Sequence, residues 1–247
     1  MSDYKLLSVG ADAKTIKGNG DEYMTAIVYM KSYKTFIEEL GKTVNPCSMA
    51  EIADCWKGCL VSAGRGKMNS VQSARERKLI LFYVNRKLFM EMLQDDITKF
   101  TKRCLKNGQQ PCVRLNGTTD IMWEKFGIIE ANPLVQFYDY SKIYTRVYKD
   151  LPSNYHLTLS YSEANMSYAK NIEKACTDTN TSMAVVFEGE LPDTYLGRQV
   201  IDGDKDDLRF LDPTNVVVGL KAKGDAKHDT SGFVIRKNNI WRNVGVA

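Results

Sequence analysis

The sequence predicts an α/β protein, a partial (β/α) barrel with mostly parallel strands, formed by one domain over residues 1–247. Short runs rich in β-branched and aromatic residues alternate with segments whose apolar residues recur at helical spacing. Such alternation is typical of parallel strands joined by right-handed crossovers. The chain is also 43% hydrophobic, which is enough for one large core, and no internal repeat or low-complexity tract interrupts the series.

The elements follow in order along the chain. Near the start, strands are predicted at YKLLSVG and MTAIVYMKS, and a helix at YKTFIEELGK. A basic helical region is predicted at 70–107, as two helices broken near Asn85 and stopped at Asn107-Gly108. Further strands are predicted at PCVRLN, LVQFYD, YHLTLSY, SMAVVFE and NVVVGLK, with helices in the gaps between the first four. The pattern weakens after Asp225.

A cysteine-rich loop is predicted at 44–69, and it holds three of the six cysteines of the chain, Cys47, Cys55 and Cys59. The start of the sequence lacks the pattern of a secretory signal, and no apolar run is long enough for a membrane helix. We therefore expect a cytoplasmic protein without membrane contact. Thiols stay reduced in the cytoplasm, where they serve as metal ligands, reactive groups or buried side chains.

Three thiolates are the ligand set of a [4Fe–4S] cluster that leaves one iron open for another ligand. Seven and three residues lie between the successive loop cysteines. A structural zinc ion is a second interpretation, with a fourth ligand from distant Cys104, Cys112 or Cys176. Plain buried thiols are a third, because cysteine is among the most buried residue types. The spacing leaves all three interpretations open.

Polar residues gather where the predicted strands end. The carboxyl ends of parallel strands open onto one face, so these side chains would surround one cavity under the cysteine-rich loop. Single groups would also serve as helix caps, as Thr118 or Ser162 would, but caps do not require lysines. The predicted binding residues are Asn116, Asp120, Asp139, Lys142, Ser160, Glu163, Lys221 and Lys223.

The segment VIDGDKDDLRFLDP is rich in acidic residues, but it lacks the residue order of an EF-hand loop. A solvated turn around Gly203 is the simpler interpretation. In a functional interpretation, Asp207 and Arg209 would hold a polar substrate or the ribose of a cofactor near the mouth of the barrel.

Charge is distributed unevenly along the chain. The net charge is +4, yet residues 60–106 contain eleven Lys and Arg residues against four Asp and Glu residues. This basic region would attract nucleic acid, although the solvated faces of two helices would carry the same charges.

Several motifs form a series over nearly the whole chain: SVGADAKTIKG, NPCSMAEIADCWKGCLVSAGRGK, VRLNGTTDIMWE, VQFYDYSK, YHLTLSYSEAN and VVVGLKAKGDAKHDTSGFVIR. In this order they resemble an uncharacterised family of bacteriophage proteins of the gene product eighty-eight type. That family in turn resembles a radical S-adenosylmethionine-like group of phage proteins, in which a cysteine-rich loop follows an early strand of a partial barrel. The resemblance implies a TIM-like barrel, a [4Fe–4S] cluster on Cys47, Cys55 and Cys59, and S-adenosylmethionine as cofactor.

Two functions follow as expectations. The first is a phage-encoded iron–sulfur enzyme of the radical S-adenosylmethionine-like type, acting on an unknown small-molecule or macromolecular substrate in the cytoplasm of an infected bacterial host. The alternative is a phage nucleic-acid-binding protein that supports replication or host takeover, with a basic 60–106 region and a zinc-bound or metal-free cysteine loop.

Overall fold

A mostly parallel ten-stranded sheet organises the protein in its computed structural model, which describes residues 4–10, 16, 22–59 and 63–236. Residues 60–62 of the cysteine-rich loop and the tail from 237 onward lie outside these ranges. The strands of the sheet are β1 (Leu7–Val9), β2 (Tyr23–Val28), β5 (Gln110–Arg114), β6 (Gln136–Ser141), β7 (Tyr155–Ser160), β8 (Met183–Phe187), β9 (Thr194–Tyr195), β10 (Arg198–Asp202), β11 (Val217–Lys221) and β12 (Val234–Ile235). A separate hairpin consists of β3 (Thr35–Ile37) and β4 (Lys42–Val44).

The order of the strands explains how the sheet is wound. Strands β2, β5, β6, β7, β8 and β11 are parallel neighbours in the order of the sequence, an arrangement that right-handed crossovers produce. Strand β10 extends the sheet beyond β11, and β1 and β9 pair antiparallel at the two ends. Over the described ranges the end strands do not pair with each other, so the sheet is open and no closed barrel is formed.

Strand β12 has an unusual place in the sheet. The first half of β8 pairs with β7, through Met183 and Ala184, whereas the second half pairs with β12, through Val186 and Phe187. Because β11 occupies the other edge of β8 along its whole length, β12 continues the edge that β7 leaves. A segment far along the chain is thereby placed beside the carboxyl end of β7.

Three α-helices are present in the described ranges: α1 (Asn69–Val84), α2 (Arg86–Lys106) and α3 (Met166–Thr179). The predicted break at Asn85 is confirmed, since its side chain caps α2 by accepting a 3.1 Å hydrogen bond from Leu88 N. Helix α3 is likewise capped by Asn165, which accepts from Tyr168 N at 3.0 Å. None of these helices is long and apolar enough to cross a membrane.

The helix predicted at YKTFIEELGK is wrong, because this segment forms the β3–β4 hairpin. Thr35 and Ile37 are buried while Phe36 is exposed, which is the alternation of a strand. Gly41 ends the connection with a φ of 58°, a conformation that glycine adopts without steric cost.

The gaps after β5 and β6 contain short 3-10 turns, at Trp123–Lys125 and Tyr144–Tyr148, instead of the predicted helices. The helix predicted after β7 and the strands predicted before it are confirmed, whereas β9, β10 and β12 were not predicted. Polar side chains explain the short turns, because they accept hydrogen bonds from backbone N–H groups of their own connection. Asn116 Oδ1 accepts from Ile121 N, and Ser141 Oγ accepts from Ile143 N, which competes with the formation of a helix.

The two faces of the sheet have different contents. One face packs its apolar side chains, such as Val113 and Phe137, against Phe89 and Leu93 of α2, and α3 continues this core beside β7 and β8. The other face is covered by residues 203–212 between β10 and β11, which we call the strap. Its Phe210 packs on Tyr138, and its Asp207 pairs with Arg114. This second face therefore combines a small apolar cluster with a buried ion pair.

Candidate functional site

The cysteine-rich loop lies against the segments that follow the parallel strands. The backbone N–H of Asp120, after β5, donates to Pro46 O at 2.9 Å, and Ser162 Oγ, after β7, donates to Ala53 O at 2.7 Å. A Cβ atom at Gly58 would lie 3.2 Å from Ala226, after β11. The loop thus extends across the carboxyl ends of β5, β7 and β11.

Cys47, Cys55 and Cys59 are half-buried on this loop. Burial raises the pKa of Cys47 to about 12, and the negative charges of Asp120 and of the other two thiolates act in the same direction. Burial also raises the pKa of Cys55, which is affected by Cys59 as well. The three thiols are therefore close enough to influence one another electrostatically.

The described residues contain no group of three or more His, Cys, Asp and Glu side chains that could hold a metal ion. Cys104, Cys112 and Cys176 are fully buried at different places in the core. They do not complete such a group with the loop cysteines, so the structure does not support a zinc site with a distant fourth cysteine.

Lys142 provides a cation beside the thiols. Its Nζ donates to Ser160 Oγ at 2.9 Å and lies 5.6 Å from the centre of the Phe233 ring. Burial acts to lower the pKa of Lys142, but the nearby Cys55 thiolate and Asp120 carboxylate raise it, and the net change is upward. The lysine therefore keeps its charge, and that charge opposes the effect of burial on the pKa of Cys55, whose net change is still upward.

Asp120 fixes the backbone that carries Lys142. Its carboxylate accepts hydrogen bonds from Ser141 Oγ at 2.8 Å and from Lys142 N at 2.7 Å. Arg146 Nη1 approaches the same carboxylate at 3.3 Å. Asp120 thus connects the cysteine-rich loop, through Pro46, to the end of β6.

Asn116 and Asp139 are buried supports of the connection between β5 and β6. Asn116 Oδ1 accepts from Thr119 Oγ1 at 2.9 Å, Ile121 N at 2.9 Å and Trp123 Nε1 at 3.1 Å. Asp139 accepts from Asn116 N at 2.7 Å and from Tyr155 OH at 2.9 Å. Both residues are buried, and their polar atoms make hydrogen bonds within the protein.

The other predicted binding residues are spread along the same end of the sheet. Glu163 accepts from Tyr195 OH at 2.5 Å and lines a small polar pocket with Ser231, Gly232 and Arg236. Lys221 and Lys223 are exposed at the end of β11, where Lys223 Nζ pairs with Asp204. Of the predicted set, Lys142 contacts both Ser160 and Asp120, and Lys142 and Asp120 are the members whose charges act on the thiols.

Several residues of the site were not predicted. Ser32 Oγ lies 3.7 Å from Cys59 Sγ, and the Tyr33 backbone N–H acts to lower the pKa of Cys47. The Tyr33 ring stacks on Trp56 of the loop, with ring centres 5.2 Å apart. Ser32, a polar residue shortly after β2 in the stretch MKSY, was the one feature of the sequence that indicated the contact with Cys59.

Arg146 was also missed. It is fully buried and contacts Glu124 at 2.6 Å, and it donates to Tyr155 OH at 2.9 Å. The segment YSKIYTRVYKD was predicted as a helix between two strands, and this prediction gave no indication that Arg146 is buried.

The basic 60–106 region is partly used inside the fold. Lys78 is buried and donates to Leu6 O at 2.8 Å, and the Arg86 guanidinium lies 4.4 Å from the centre of the Phe82 ring. Lys102, Arg103 and Lys106 are exposed on the last turns of α2. Binding of nucleic acid by this region stays a prediction.

Asp139 is expected to make stability depend on pH. Burial raises its pKa to about 7, whereas an Asp in an unfolded chain has a pKa of about 3.9. The folded protein therefore keeps this proton at pH values where the unfolded chain has lost it. The contribution of Asp139 to stability will be complete below about pH 4 and will be lost as the pH rises through about 7.

Urea unfolding of the parent protein and of Asp139→Asn over this pH window will check the prediction. The neutral amide does not titrate, so the difference in unfolding free energy between the two proteins will change with pH. A difference that stays constant over the window would contradict the assignment.

Fold and site together define a mixed α/β protein with a mostly parallel sheet and a cysteine-rich loop at the carboxyl ends of its strands. The model of the family described as gene product 88 matches residues 5–237, so the chain belongs to this bacteriophage protein family. No curated protein and no solved structure matches the chain. The family predicted from the motifs is thereby confirmed.

Proposed function

We propose that the protein is a phage-encoded iron–sulfur enzyme of the radical S-adenosylmethionine-like type. One observation supports this function most directly. Three mutually influencing thiols lie with the charged Lys142 at the carboxyl ends of six parallel strands that are neighbours in sequence order. Active sites of barrel-type sheets form at these ends.

The finer fold assignment belongs to the same proposal. A sheet with its helices on one face and buried polar side chains on the other is what a partial barrel with a polar interior requires. Arg114, Tyr140 and Lys142 would then face the interior, because alternate residues of a strand point to the same face.

The three loop thiols are the residues that would hold the cluster. In the described ranges they do not form a group that could hold a metal ion, so the loop would have to bring the sulfurs around the cluster when it binds. In a [4Fe–4S] cluster each cysteine binds a different iron, so the sulfurs surround a larger body. When bound, such a cluster would offer one iron to S-adenosylmethionine and supply the electron that breaks its C–S bond.

The residues of the chain have separate roles in this proposal. Lys142 would bind an anionic group, such as the carboxylate of S-adenosylmethionine. Ser160 would orient the ammonium group of Lys142, whose Nζ donates to Ser160 Oγ at 2.9 Å. Asp120 would hold Lys142 in place. We expected Asn116 and Asp139 to bind the cofactor. We now assign them to support of the connection between β5 and β6, because their polar atoms already make hydrogen bonds.

Anaerobic purification and reconstitution with iron and sulfide will test the proposal. We expect a brown protein that binds S-adenosylmethionine in calorimetry and slowly releases 5′-deoxyadenosine under a strong reductant. A protein that takes up no iron during reconstitution would refute the cluster. A protein that contains the cluster but neither binds nor cleaves S-adenosylmethionine would refute the radical chemistry. A colourless protein whose affinity for DNA or RNA falls with added salt would instead favour the nucleic-acid-binding alternative.

A further inference from the structure

We propose that the protein binds a sugar, or a molecule that ends in one, in a small pocket between Glu163 and the segment 229–236. The pocket lies beside the carboxyl end of β7 and has a volume of about 200 Å³. Pockets for drug-sized ligands measure roughly 300–1,000 Å³, so this one is suited to a single sugar ring. The ligand would carry two neighbouring hydroxyl groups. This site does not depend on the iron–sulfur proposal.

The two walls of the pocket are joined through the backbone. Glu163 N donates to Gly232 O at 2.9 Å. Gly232 has a φ of 100°, and a Cβ atom there would lie 3.0 Å from Ala164 N, so this position requires glycine. The close approach places Thr230 and Ser231 in the same pocket as the carboxylate of Glu163.

A buried tyrosine holds this carboxylate in place. Tyr195 comes from β9 and is 3% exposed, and its OH donates to Glu163 Oε1 at 2.5 Å. Its ring packs edge-on against Phe187 and Tyr161. Burial and the bond to Glu163 raise the pKa of Tyr195, so the phenol keeps its proton and remains a donor. A carboxylate offers about four acceptor positions, so Glu163 is oriented by the tyrosine and can accept from a ligand as well.

Asp229 fixes the opposite wall. It is buried, and its side chain accepts from Ser231 Oγ at 2.7 Å and from Val234 N at 3.0 Å. Arg236 donates from Nε and Nη2 to the backbone oxygen of Asp229, and from Nη1 to Glu188 Oε1 at 2.9 Å. Each terminal nitrogen of a guanidinium carries two N–H groups, so Arg236 keeps donors beyond these bonds.

The polar groups of the pocket match hydroxyl groups better than ions. Arg236 is already paired with Glu188, and the carboxylate of Glu163 would repel an anion. A cation would in turn be repelled by Arg236. A hydroxyl group donates and accepts at once, so it can use a carboxylate, a guanidinium and the hydroxyls of Thr230 and Ser231 together. Acidic side chains bind the hydroxyls of ribose in this way in dinucleotide-binding folds.

The pocket is separated from the thiols by one residue of this segment. Phe233 packs with Cys55, and the centre of its ring lies 5.6 Å from Lys142 Nζ. Gly232 and Val234, which precede and follow Phe233 in the chain, line the pocket instead. A sugar in the pocket would therefore lie beside the thiols without contacting them, and it would bind whether or not the thiols hold a cluster.

Saturation-transfer NMR of the full chain will test this pocket with two probes, uridine and methyl β-glucoside, which distinguish a ribonucleoside from a hexose. We expect at least one probe to bind, and Glu163→Gln to weaken its affinity about tenfold, because a hydrogen bond to a charged group is lost. The amide oxygen of glutamine can still accept from Tyr195, so the variant keeps that contact. Glu130→Gln is the matched control, since Glu130 is exposed and lies outside the pocket.

A second comparison needs no variant. The 2-deoxy form of the probe that binds lacks one of the two neighbouring hydroxyls, and its affinity for the parent protein should also be about tenfold weaker. Failure of both probes to bind, or equal affinities for the parent protein and Glu163→Gln or for the probe and its deoxy form, would overturn the proposal. The Cys55→Ala variant should bind the sugar as the parent does, which separates this result from that of the cluster.

Discussion

Replacement of Cys47, Cys55 or Cys59 by alanine will remove most of the iron, the sulfide and the visible absorption from anaerobically reconstituted protein. Each thiol is expected to bind a different iron, so the loss of one leaves a cluster with two protein ligands, exposed to solvent and easily lost. The thiols lie beside one another and beside the charged Lys142, and burial raises the pKa of Cys47 and Cys55, so binding of the cluster would displace their protons.

The remaining cysteines provide matched controls. Alanine at Cys104, Cys112 or Cys176 removes a buried sulfur from the core, which will cost on the order of 1 kcal/mol of stability but no iron. Circular dichroism will confirm that all six variants are folded. Equal loss of iron from all six, or from none, would contradict the assignment of the loop cysteines as ligands.

Arg146→Ala will lower the free energy of unfolding by about 3–5 kcal/mol, because the loss of one partner leaves buried carboxylates without their counter-ion. The guanidinium has no exposed surface and contacts both Glu124 and Asp120. A loss of this size is a large part of the roughly 5–15 kcal/mol that stabilises a typical domain.

Urea unfolding will measure the effect, with Lys99→Ala as the control. Lys99 pairs with Asp95 on the exposed surface of α2, where an ion pair contributes little because water screens it. If the two variants lose the same stability, the buried network has no special role. Because Asp120 also binds the backbone of Lys142, Arg146→Ala should reduce iron incorporation even in molecules that remain folded.

The strands and the two long helices could be predicted because their signals are local. Runs such as MAVVF and the apolar period of α2 are produced by the burial of a whole face, and neighbouring residues show it. The prediction for the β3–β4 hairpin was wrong because a strand of three residues is too short to show a period of two. The adjacent Glu38 and Glu39 favour a helix, which made the segment look helical. The exchange of β10 and β11 in the sheet order has no local signal at all.

The candidate site was predicted only in part, for a similar reason. The cysteines and Lys142 could be found from residue type and their place at strand ends. Burial could not be predicted from these signals. It separates Asn116 and Asp139, which support the connection between β5 and β6, from Lys142, which lies beside the thiols. The role of Arg146 depends on partners 22 and 26 residues away, and neither spacing corresponds to a sequence motif.

The place of β12 has a consequence for the time at which the site forms during translation. Cys55 packs with Phe233 and Val234, so the ribosome must add most of the described chain after the cysteines before their surroundings exist. Until then the thiols of a nascent chain are open to oxidants and to free metal ions. If the thiols bind iron as proposed, delivery of the iron would therefore have to follow synthesis of the chain as far as Val234.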